Sequence, residues 1–482
     1  MKHKVTFNEA ICILLALLFI LGTSVIKLGI APEVPVLFTI CLFIFWIKFF
    51  HGYSWQSIQD GIKEGIGVAI IPIFIFILIG ALISLWIKSG IIPSIMYLGF
   101  HLLNGNYFIP SVFLVCTIIG VAIGSGFTTI STIGIALFGI GISMKANPGL
   151  VAGAIISGAV FGDKMSPLSD STNLASAVAE SELFAHIKNM LWSTLPAFFC
   201  SLLLFTILGH GGAMNAARIE TLSHILKSHF MISWWTIIPI IFMVLCAWKK
   251  IPAIPTLFLN ITISIIIIFI QNPHQSIASL NQIIVNGYVA KTNDAAFNAL
   301  LSRGGIASMM ETVALIISTL SLGGLLMKFN IVQSAMSPLV AKLKTPGSLI
   351  IATILSGIGI NLLVGEQYLS VILPGRAYKS AYTKLCLSSL ALSRVLEDGG
   401  SVINYLIPWG VAGAFAASTL GVPVLTFLPF TFFSLFSPIF SIMSGISGIG
   451  LKRIHGIMPV SYTHLTLPTI LRSCRSRWSP YH

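Results

Sequence analysis

The fold is decided by the segment Ser157-Gly158-Ala159-Val160-Phe161-Gly162-Asp163-Lys164-Met165-Ser166-Pro167-Leu168-Ser169-Asp170-Ser171-Thr172-Asn173-Leu174-Ala175. It places two carboxylates and a lysine within eight residues, Asp163 to Asp170, between apolar, glycine-rich flanks. Charges inside a membrane helix are costly and persist where they are paired, hydrated or in use. Pro167 removes a backbone donor and disfavours helical geometry at Ser166. The segment therefore predicts a helix that unwinds in apolar surroundings.

The unwound segment is expected to present oxygen ligands that suit a hard cation. A broken helix leaves carbonyl oxygens without helical donors, and such cations prefer carboxylate, carbonyl and hydroxyl oxygens. The candidate ligands here are Asp163, Ser166, Asp170, Ser171, Thr172 and Asn173. The alternative is a polar loop at the membrane surface, which Lys164, Glu180 and Glu182 would suit. The apolar flanks on both sides favour the buried site.

The composition of the whole chain places this segment in a membrane. Of 482 residues, 56% are hydrophobic and 9% are charged, and the mean hydropathy is +0.96; a soluble domain carries about 25% charged residues. Apolar blocks of about 20 residues, long enough to cross a bilayer as helices, recur along the chain. The composition excludes a water-soluble globule. It predicts an all-α polytopic membrane protein with about 11 to 13 transmembrane helices.

Charge and cysteine usage restrict the partners of the protein. The net charge of +13 does not indicate nucleic-acid binding, because basic residues in membrane proteins mainly set loop orientation. Lys2, Lys4, Lys48 and Lys63 favour a cytoplasmic N-terminus for a multi-pass protein of the cell membrane. The seven cysteines lack disulfide or zinc spacing. We therefore expect the lipid bilayer as surroundings and no cofactor; homo-oligomeric assembly stays open.

Polar loops and an internal repeat organise the chain. Loops at 210–231 and 272–305 separate a first half, 1–209, from a second half, 306–458, with connecting helices over 210–305. The tail, 459–482, does not continue the apolar pattern, and we expect a non-native extension; a basic tail that binds anionic lipid is the alternative. Three segments recur in order: Ile87–Ile91 with Met327–Ile331 at an offset of 240, Thr117–Ser125 with Thr353–Asn361 at 236, and Asp163–Ser166 with Asp398–Ser401 at 235. Duplicated halves with broken helices are typical of secondary transporters, whose sites lie near the midplane.

Further breaks in apolar helices add candidate ligands. In the second half, Glu397, Asp398 and Ser401 precede Pro408 at the position that the repeat assigns to Asp163. An ordinary turn in which Arg394 pairs with Glu397 or Asp398 is the alternative. Softer breaks occur at Gly124-Ser125-Gly126 and at Gly365-Glu366-Gln367, where Glu366 is the stronger candidate ligand. Glu311 suits a pore and the membrane interface equally.

The sequence offers little support for an enzymatic function. The chain contains no HExxH motif, GxSxG nucleophile elbow or P-loop. The eleven histidines fall in predicted loops, at span ends or in the tail, so no buried histidine relay is expected. A secondary transporter is predicted rather than an enzyme.

Three motifs resemble those of a known family. They are Gly162-Asp163-Lys164 with Ser166-Pro167-Leu168-Ser169-Asp170 and Thr172-Asn173-Leu174, Gln367-Tyr368-Leu369-Ser370 with Pro374-Gly375-Arg376, and Leu396-Glu397-Asp398 with Ile407-Pro408-Trp409. They resemble the NhaC-type Na⁺/H⁺ antiporters of the ion transporter superfamily, which include sodium-coupled malate/lactate antiporters. The resemblance implies two inverted repeats that supply broken helices to one cation site. It implies ion-site roles for Asp163, Ser166, Asp170, Thr172, Glu366, Glu397 and Asp398.

The sequence departs from the family pattern in the second broken helix. Gly410 stands where family members often have Asn, and Asn404-Tyr405 stands where Ser-Pro is common. These departures concern the substrate more than the fold.

Two transport functions follow from this site. In the first, Na⁺ and H⁺ compete for Asp163 and Asp170, because a buried carboxylate is stabilised by a proton or by a cation. In the second, a small carboxylate such as malate or lactate is exchanged together with Na⁺ and H⁺, with help from Arg376, Arg394 or Lys164. A passive channel is disfavoured because broken helices indicate an occluded midplane site.

Overall fold

The computed structural model describes residues 5–102, 107–209, 216–249, 251–292, 298, 301–340 and 343–453. Over these residues the regular elements are helices, apart from one antiparallel bridge between Leu387 and Arg453. The tail at 459–482 lies outside the described residues.

The first half consists of ten helices, of which several are short or broken. In chain order they are α1 (Phe7–Gly22), α2 (Glu33–Phe49), α3 (Trp55–Lys88), α4 (Ile91–Leu102), α5 (Phe108–Ile123), α6 (Gly126–Thr129), α7 (Ile135–Ser143), α8 (Pro148–Met165), α9 (Asp170–Ala179) and α10 (Leu183–Leu208). A π-helical turn, Ile130–Gly134, joins α6 and α7 into one span. Another, Thr23–Lys27, extends α1.

Among the described residues, four helices with defined bounds connect the halves, and eight α-helices belong to the second half. The connecting helices are α11 (Ala216–His229), α12 (Ile238–Trp248), α13 (Ala253–Gln271) and α14 (Ile277–Asn286). The second half contains α15 (Met310–Lys328), α16 (Ile331–Val340), α17 (Pro346–Val364), α18 (Gln367–Lys384), α19 (Ser389–Leu396), α20 (Val411–Leu420), α21 (Val424–Phe427) and α22 (Phe432–Ser447). A π-helical turn, Glu397–Ser401, follows α19.

The helices confirm the all-α polytopic class. Within the described ranges, seven helices are long and apolar enough to cross a bilayer, and two bent pairs raise the number to nine. Four shorter apolar helices accompany them. Their outer faces carry large apolar side chains such as Phe38, Phe45 and Ile270, as contact with lipid requires. The number of 11 to 13 crossings stays a prediction.

The pattern of helices and breaks recurs in the second half at a constant offset. Gly124 and Gly365, 241 residues apart, both end a helix in the left-handed conformation. α9 and α20 have ten residues each and also begin 241 residues apart. Close contacts between a glycine and the backbone of another helix recur too. Gly158 lies against the carbonyl of Phe113, and Gly399 lies against that of Ile354. The inverted relation of the halves stays a prediction.

This offset corrects the register taken from the sequence. At 241 residues, Pro167 corresponds to Pro408 and Asp163 corresponds to Asn404, not to Asp398. The offsets of 236 and 235 are therefore wrong. Apolar helices match one another at several registers because Ile and Leu recur throughout, whereas backbone breaks occupy one position each.

The helix that carries Asp163 packs against α5 through glycine. Gly158 and Gly162 of α8 face the α5 backbone, and a Cβ at Gly162 would collide with Gly120. Close backbone approach of this kind is how membrane helices gain packing energy. The contact at Gly162 holds α8 against α5 one residue before Asp163.

We expect Gly162→Ala to separate α5 from α8 and to lower the stability of the folded protein. Overpacking of this type costs about 1 to 3 kcal/mol. Thermal unfolding of the purified protein in detergent measures the effect. Gly67→Ala is the control, because Gly67 lies exposed in α3 with open space around it. Equal melting temperatures for the two variants would contradict the packing argument.

Candidate cation site

The break between α8 and α9 has the geometry that Pro167 predicts. α8 ends at Met165, Ser166 is extended with φ −84° and ψ 132°, and helical geometry resumes at Asp170. Ser169 caps α9, because its hydroxyl accepts a hydrogen bond from the Thr172 N–H at 3.4 Å. Four residues therefore separate the two half-helices.

Two of the candidate ligands, Thr172 and Asn173, have side chains that stabilise this break. The Thr172 hydroxyl contacts the carbonyl oxygens of Lys164 at 2.9 Å and Asp163 at 3.3 Å. The Asn173 side-chain amide donates to the carbonyl oxygens of Ser169 at 2.7 Å and Pro167 at 3.0 Å. Carbonyls that the break frees are thus already paired. A role of these carbonyls as ion ligands stays a prediction.

The other two hydroxyls are also engaged locally. The Ser166 hydroxyl accepts from the Leu168 N–H at 3.2 Å. The Ser171 hydroxyl lies 3.1 Å from that of Ser169. Ser166 is buried, whereas Ser171 lines a cavity together with the two aspartates.

A cavity of about 370 Å³ reaches both aspartates of the segment. Asp163 is half-buried in its wall and Asp170 is exposed at the start of α9. The remaining polar lining comes from Ser125, Thr128, Ser171, Asn173, Thr256, Gln367 and Tyr368. Apolar residues complete it, among them members of α3, α12 and α13. Its polar wall is acidic and contains no lysine or arginine among the described residues.

Two broken helices meet at Asp163. Its carboxylate has polar contacts with the Ser169 hydroxyl and the backbone N–H of Gly126. Gly126 begins α6 directly after the break at Gly124 and Ser125. The Tyr405 hydroxyl lies so close that a Cβ at Gly126 would stand 2.5 Å from it. The absence of a side chain at Gly126 therefore allows both approaches.

The second half contributes one broken helix to the cavity. The break at Gly365 and Glu366 begins α18, and Gln367 and Tyr368 line the cavity. Glu366 is buried and accepts a hydrogen bond from the Leu369 N–H at 3.0 Å, as an N-terminal cap. The structure thus brings Glu366 near the cavity but engages its carboxylate in a helix cap.

Asp398 and Lys164 form a buried ion pair that joins the two halves. The Lys164 ammonium donates to Oδ1 of Asp398 and, at 2.8 Å, to the Ser437 hydroxyl. Ser437 in turn donates to Asp398 at 2.5 Å. Lys164 is 1% exposed and Asp398 is 0% exposed. Asp398 is therefore paired and does not line the cavity.

Glu397 lies within electrostatic range of both the ion pair and Asp163. It is fully buried and accepts from the Ser401 hydroxyl, while its Oε1 has no described partner. Its charge interacts with those of Asp163, Lys164 and Asp398. Arg394 donates instead to Ser444 and to the Gly450 carbonyl, so the alternative of an Arg394 turn pair is wrong.

The position that corresponds to Asp163 in the second half is neutral and enclosed. Asn404 donates to Asn361 at 2.8 Å and accepts from the Ala412 N–H at 3.0 Å. Asn361 donates to the Gly400 carbonyl at 2.6 Å. An amide network therefore occupies the place that carries charge in the first half.

Sequence reasoning missed several residues of the site. Ser169 and the Gly126 N–H contact Asp163, Tyr368 lines the cavity, and Ser437 bridges the ion pair. Ser169 could have been found, because it precedes an acidic helix start inside the motif. The expected absence of a buried histidine relay stays a prediction, but the structure does bury His186, which is 0% exposed at the start of α10.

Several known proteins that are similar in sequence to this chain are described as antiporters. A family model described as the Na⁺/H⁺ antiporter family matches residues 158–449. The Na⁺/H⁺ antiporter NhaC of Alkalihalophilus pseudofirmus is 38% identical over 457 residues, 94% of this chain and 98% of that protein. NhaC of Bacillus subtilis is 37% identical, covering 92% and 98%. The malate-2H⁺/Na⁺-lactate antiporter of B. subtilis is 34% identical, covering 82% and 85%.

We expect Thr172→Val to destabilise the protein by about 1 to 3 kcal/mol, because the buried carbonyls at the end of α8 lose their hydroxyl donor. Thr172→Ser keeps the donor and should restore most of the stability. Thermal unfolding measures both variants. Thr262→Val is the control, since that hydroxyl donates to its own exposed helix. A Thr172→Val protein as stable as the control would refute the capping role.

Proposed function

Since the chain belongs to the Na⁺/H⁺ antiporter family, we propose that it exchanges Na⁺ for H⁺ across the cell membrane through a midplane site at Asp163 and Asp170. It is a secondary transporter, as its relatives are. By the charge of its first loops, its N-terminus faces the cytoplasm.

The observation that carries the site is the exposure of this carboxylate pair to one cavity. Asp163 and Asp170 line the cavity and their charges repel each other. Neighbouring carboxylates are committed elsewhere, since Asp398 pairs with Lys164 and Glu366 caps α18. Two carboxylates that share a site favour the binding of either a cation or a proton between them.

Competition between the two ions gives the exchange. Na⁺ and H⁺ both neutralise the carboxylate pair, and binding of one removes the charge that attracts the other. If the protein changes its open side only when the pair is neutralised, the entry of protons drives the exit of Na⁺. Asp163 precedes Lys164 directly, and the Glu397 charge interacts with Asp163 and with both partners of the ion pair, which gives a route for coupling the loading of Asp163 to that pair.

The alternative is exchange of a small carboxylate together with Na⁺ and H⁺. Its support is the name of one relative, the malate-2H⁺/Na⁺-lactate antiporter. The basic residues proposed to hold an organic anion do not favour it here. Lys164 is paired with Asp398, Arg394 binds near the end of α22, and Arg376 is exposed. An acidic cavity wall favours Na⁺ alone.

We expect Asp163→Asn to abolish coupled exchange, with a loss of at least about 100-fold, or about 3 kcal/mol of lost ion interaction. The measurement is the Na⁺-driven change of internal pH in proteoliposomes. Asp60→Asn is the control, because Asp60 accepts a surface hydrogen bond from Gln56 in α3. Full coupled transport by folded Asp163→Asn protein would remove Asp163 from the site.

The same vesicles distinguish the two transport functions. We expect Na⁺ alone to move protons against an imposed pH gradient, with no requirement for malate or lactate. K⁺ in place of Na⁺ tests ion selectivity. Proton movement that needs malate or lactate on one side would establish the organic-acid exchanger instead.

A further inference from the structure

His186 is a buried titratable side chain that the exchange scheme does not use. It lies in the first turn of α10 and is fully buried. Neither ring nitrogen has a hydrogen-bond partner among the residues that the structure describes. An imidazole carries a donor and an acceptor, and burying both unpaired is costly. An apolar side chain would fill this space at lower cost, so the imidazole indicates a use.

Asp398 offers a second unpartnered group in the same region. Lys164 and Ser437 both donate to Oδ1 of Asp398, whereas Oδ2 is buried without a described partner. The charges of Lys164 and Asp398 both act on His186. The imidazole therefore lies within electrostatic range of a carboxylate that retains one free oxygen.

Other groups around α10 do not replace Asp398 as a partner. From α19, the Arg394 guanidinium is bound to Ser444 and the Gly450 carbonyl. From α9, Asp170 faces the cavity, and Glu397 of the π-helical turn accepts from Ser401. α5 contributes the buried thiol of Cys116, and α22 contributes hydroxyls alone.

A row of hydroxyls extends along α22 from the ion pair. Ser434, Ser437 and Ser441 are fully buried on one face of that helix. Ser437 contacts Lys164 and Asp398, and Ser434 and Ser441 have no partner within the described residues. Polar rows inside membrane proteins mark ion and proton paths.

We propose that His186 is a proton-binding residue separate from the cavity carboxylates, and that it takes up its proton when Lys164 moves away from Asp398. The inference rests on the proposed Na⁺/H⁺ exchange for its role in transport. While Lys164 holds Asp398, a second positive charge beside the pair is unfavourable. Once Lys164 leaves, the buried carboxylate requires another cation, and imidazolium supplies it.

The protonation state of the His186 ring tests the proposal directly, without a transport assay. Solid-state ¹⁵N NMR of histidine-labelled protein in lipid vesicles reports it, with the His186 signal assigned by its loss in His186→Gln. At about pH 7.5 we expect a neutral ring in the native protein and a protonated ring in Lys164→Met. The double variant Lys164→Met/Asp398→Asn should return the ring to the neutral form.

Two outcomes would overturn the proposal. One is an unchanged His186 signal in folded Lys164→Met protein. The other is a protonated ring that persists in the double variant, which would exclude Asp398 as the partner. If Lys164→Met does not fold, Asp398→Asn alone decides the question. Its His186 ring should protonate at a pH at least about one unit below that of the native protein, because the Lys164 charge then acts on the ring unopposed, and protonation at the native pH contradicts the proposal.

Transport assays test the consequence for exchange. His186→Gln should shift the midpoint of the pH profile of Na⁺-driven proton movement by at least about half a pH unit. The Na⁺ concentration for half-maximal rate at alkaline pH should stay within about twofold, because the cavity is untouched. His274→Gln is the control, since His274 lies in an exposed loop. A native pH profile in His186→Gln refutes the proposal. Absence of Na⁺-driven exchange in the native protein refutes the proposed function instead, and the NMR result then decides on His186.

Discussion

The buried ion pair between Lys164 and Asp398 is the contact on which the arrangement of the site depends. It links the last turn of α8 in the first half to the π-helical turn of the second, with Ser437 bonded to both partners. Removing one partner of such a pair typically costs about 3 to 5 kcal/mol, because the other charge is left buried and unpaired. The pair therefore holds Asp163, one residue before Lys164, in a defined position relative to both halves. Any movement that changes the side from which Asp163 is reached must preserve this pair or replace it.

The two halves use one backbone pattern for different chemistry. Breaks recur 241 residues apart, yet Asp163 in the first half corresponds to Asn404 in the second. Around Asn404 an amide network gives each side-chain nitrogen and oxygen of Asn361 and Asn404 a hydrogen-bond partner, and Asn404 is buried. Around Asp163 the carboxylate faces a cavity. The recurring backbone pattern thus carries a carboxylate in the first half and a hydrogen-bonded amide in the second.

Much of the site follows from local chemistry, and the errors have identifiable causes. Pro167 and two aspartates sufficed to predict the broken helix, because proline acts on its own neighbours. Thr172 and Asn173 were predicted as ion ligands, and the structure shows a further role that the sequence did not reveal, since their side chains donate to carbonyls that the break itself releases. Asp398 was likewise predicted as a ligand, and the structure shows it paired with Lys164. A sequence shows which groups are polar but does not show which of them satisfy each other.

By itself the sequence determined the membrane class, the family and the positions of the breaks. Those depend on composition, on motifs and on residues that restrict their own backbone. Only the tertiary structure decided which acids share the cavity, which acid is paired and which histidine is buried. Such facts depend on contacts between helices far apart in the chain, as with Lys164 and Ser437. The register of the repeat was decided in the same way, because apolar helices resemble each other at many offsets and their packing permits one.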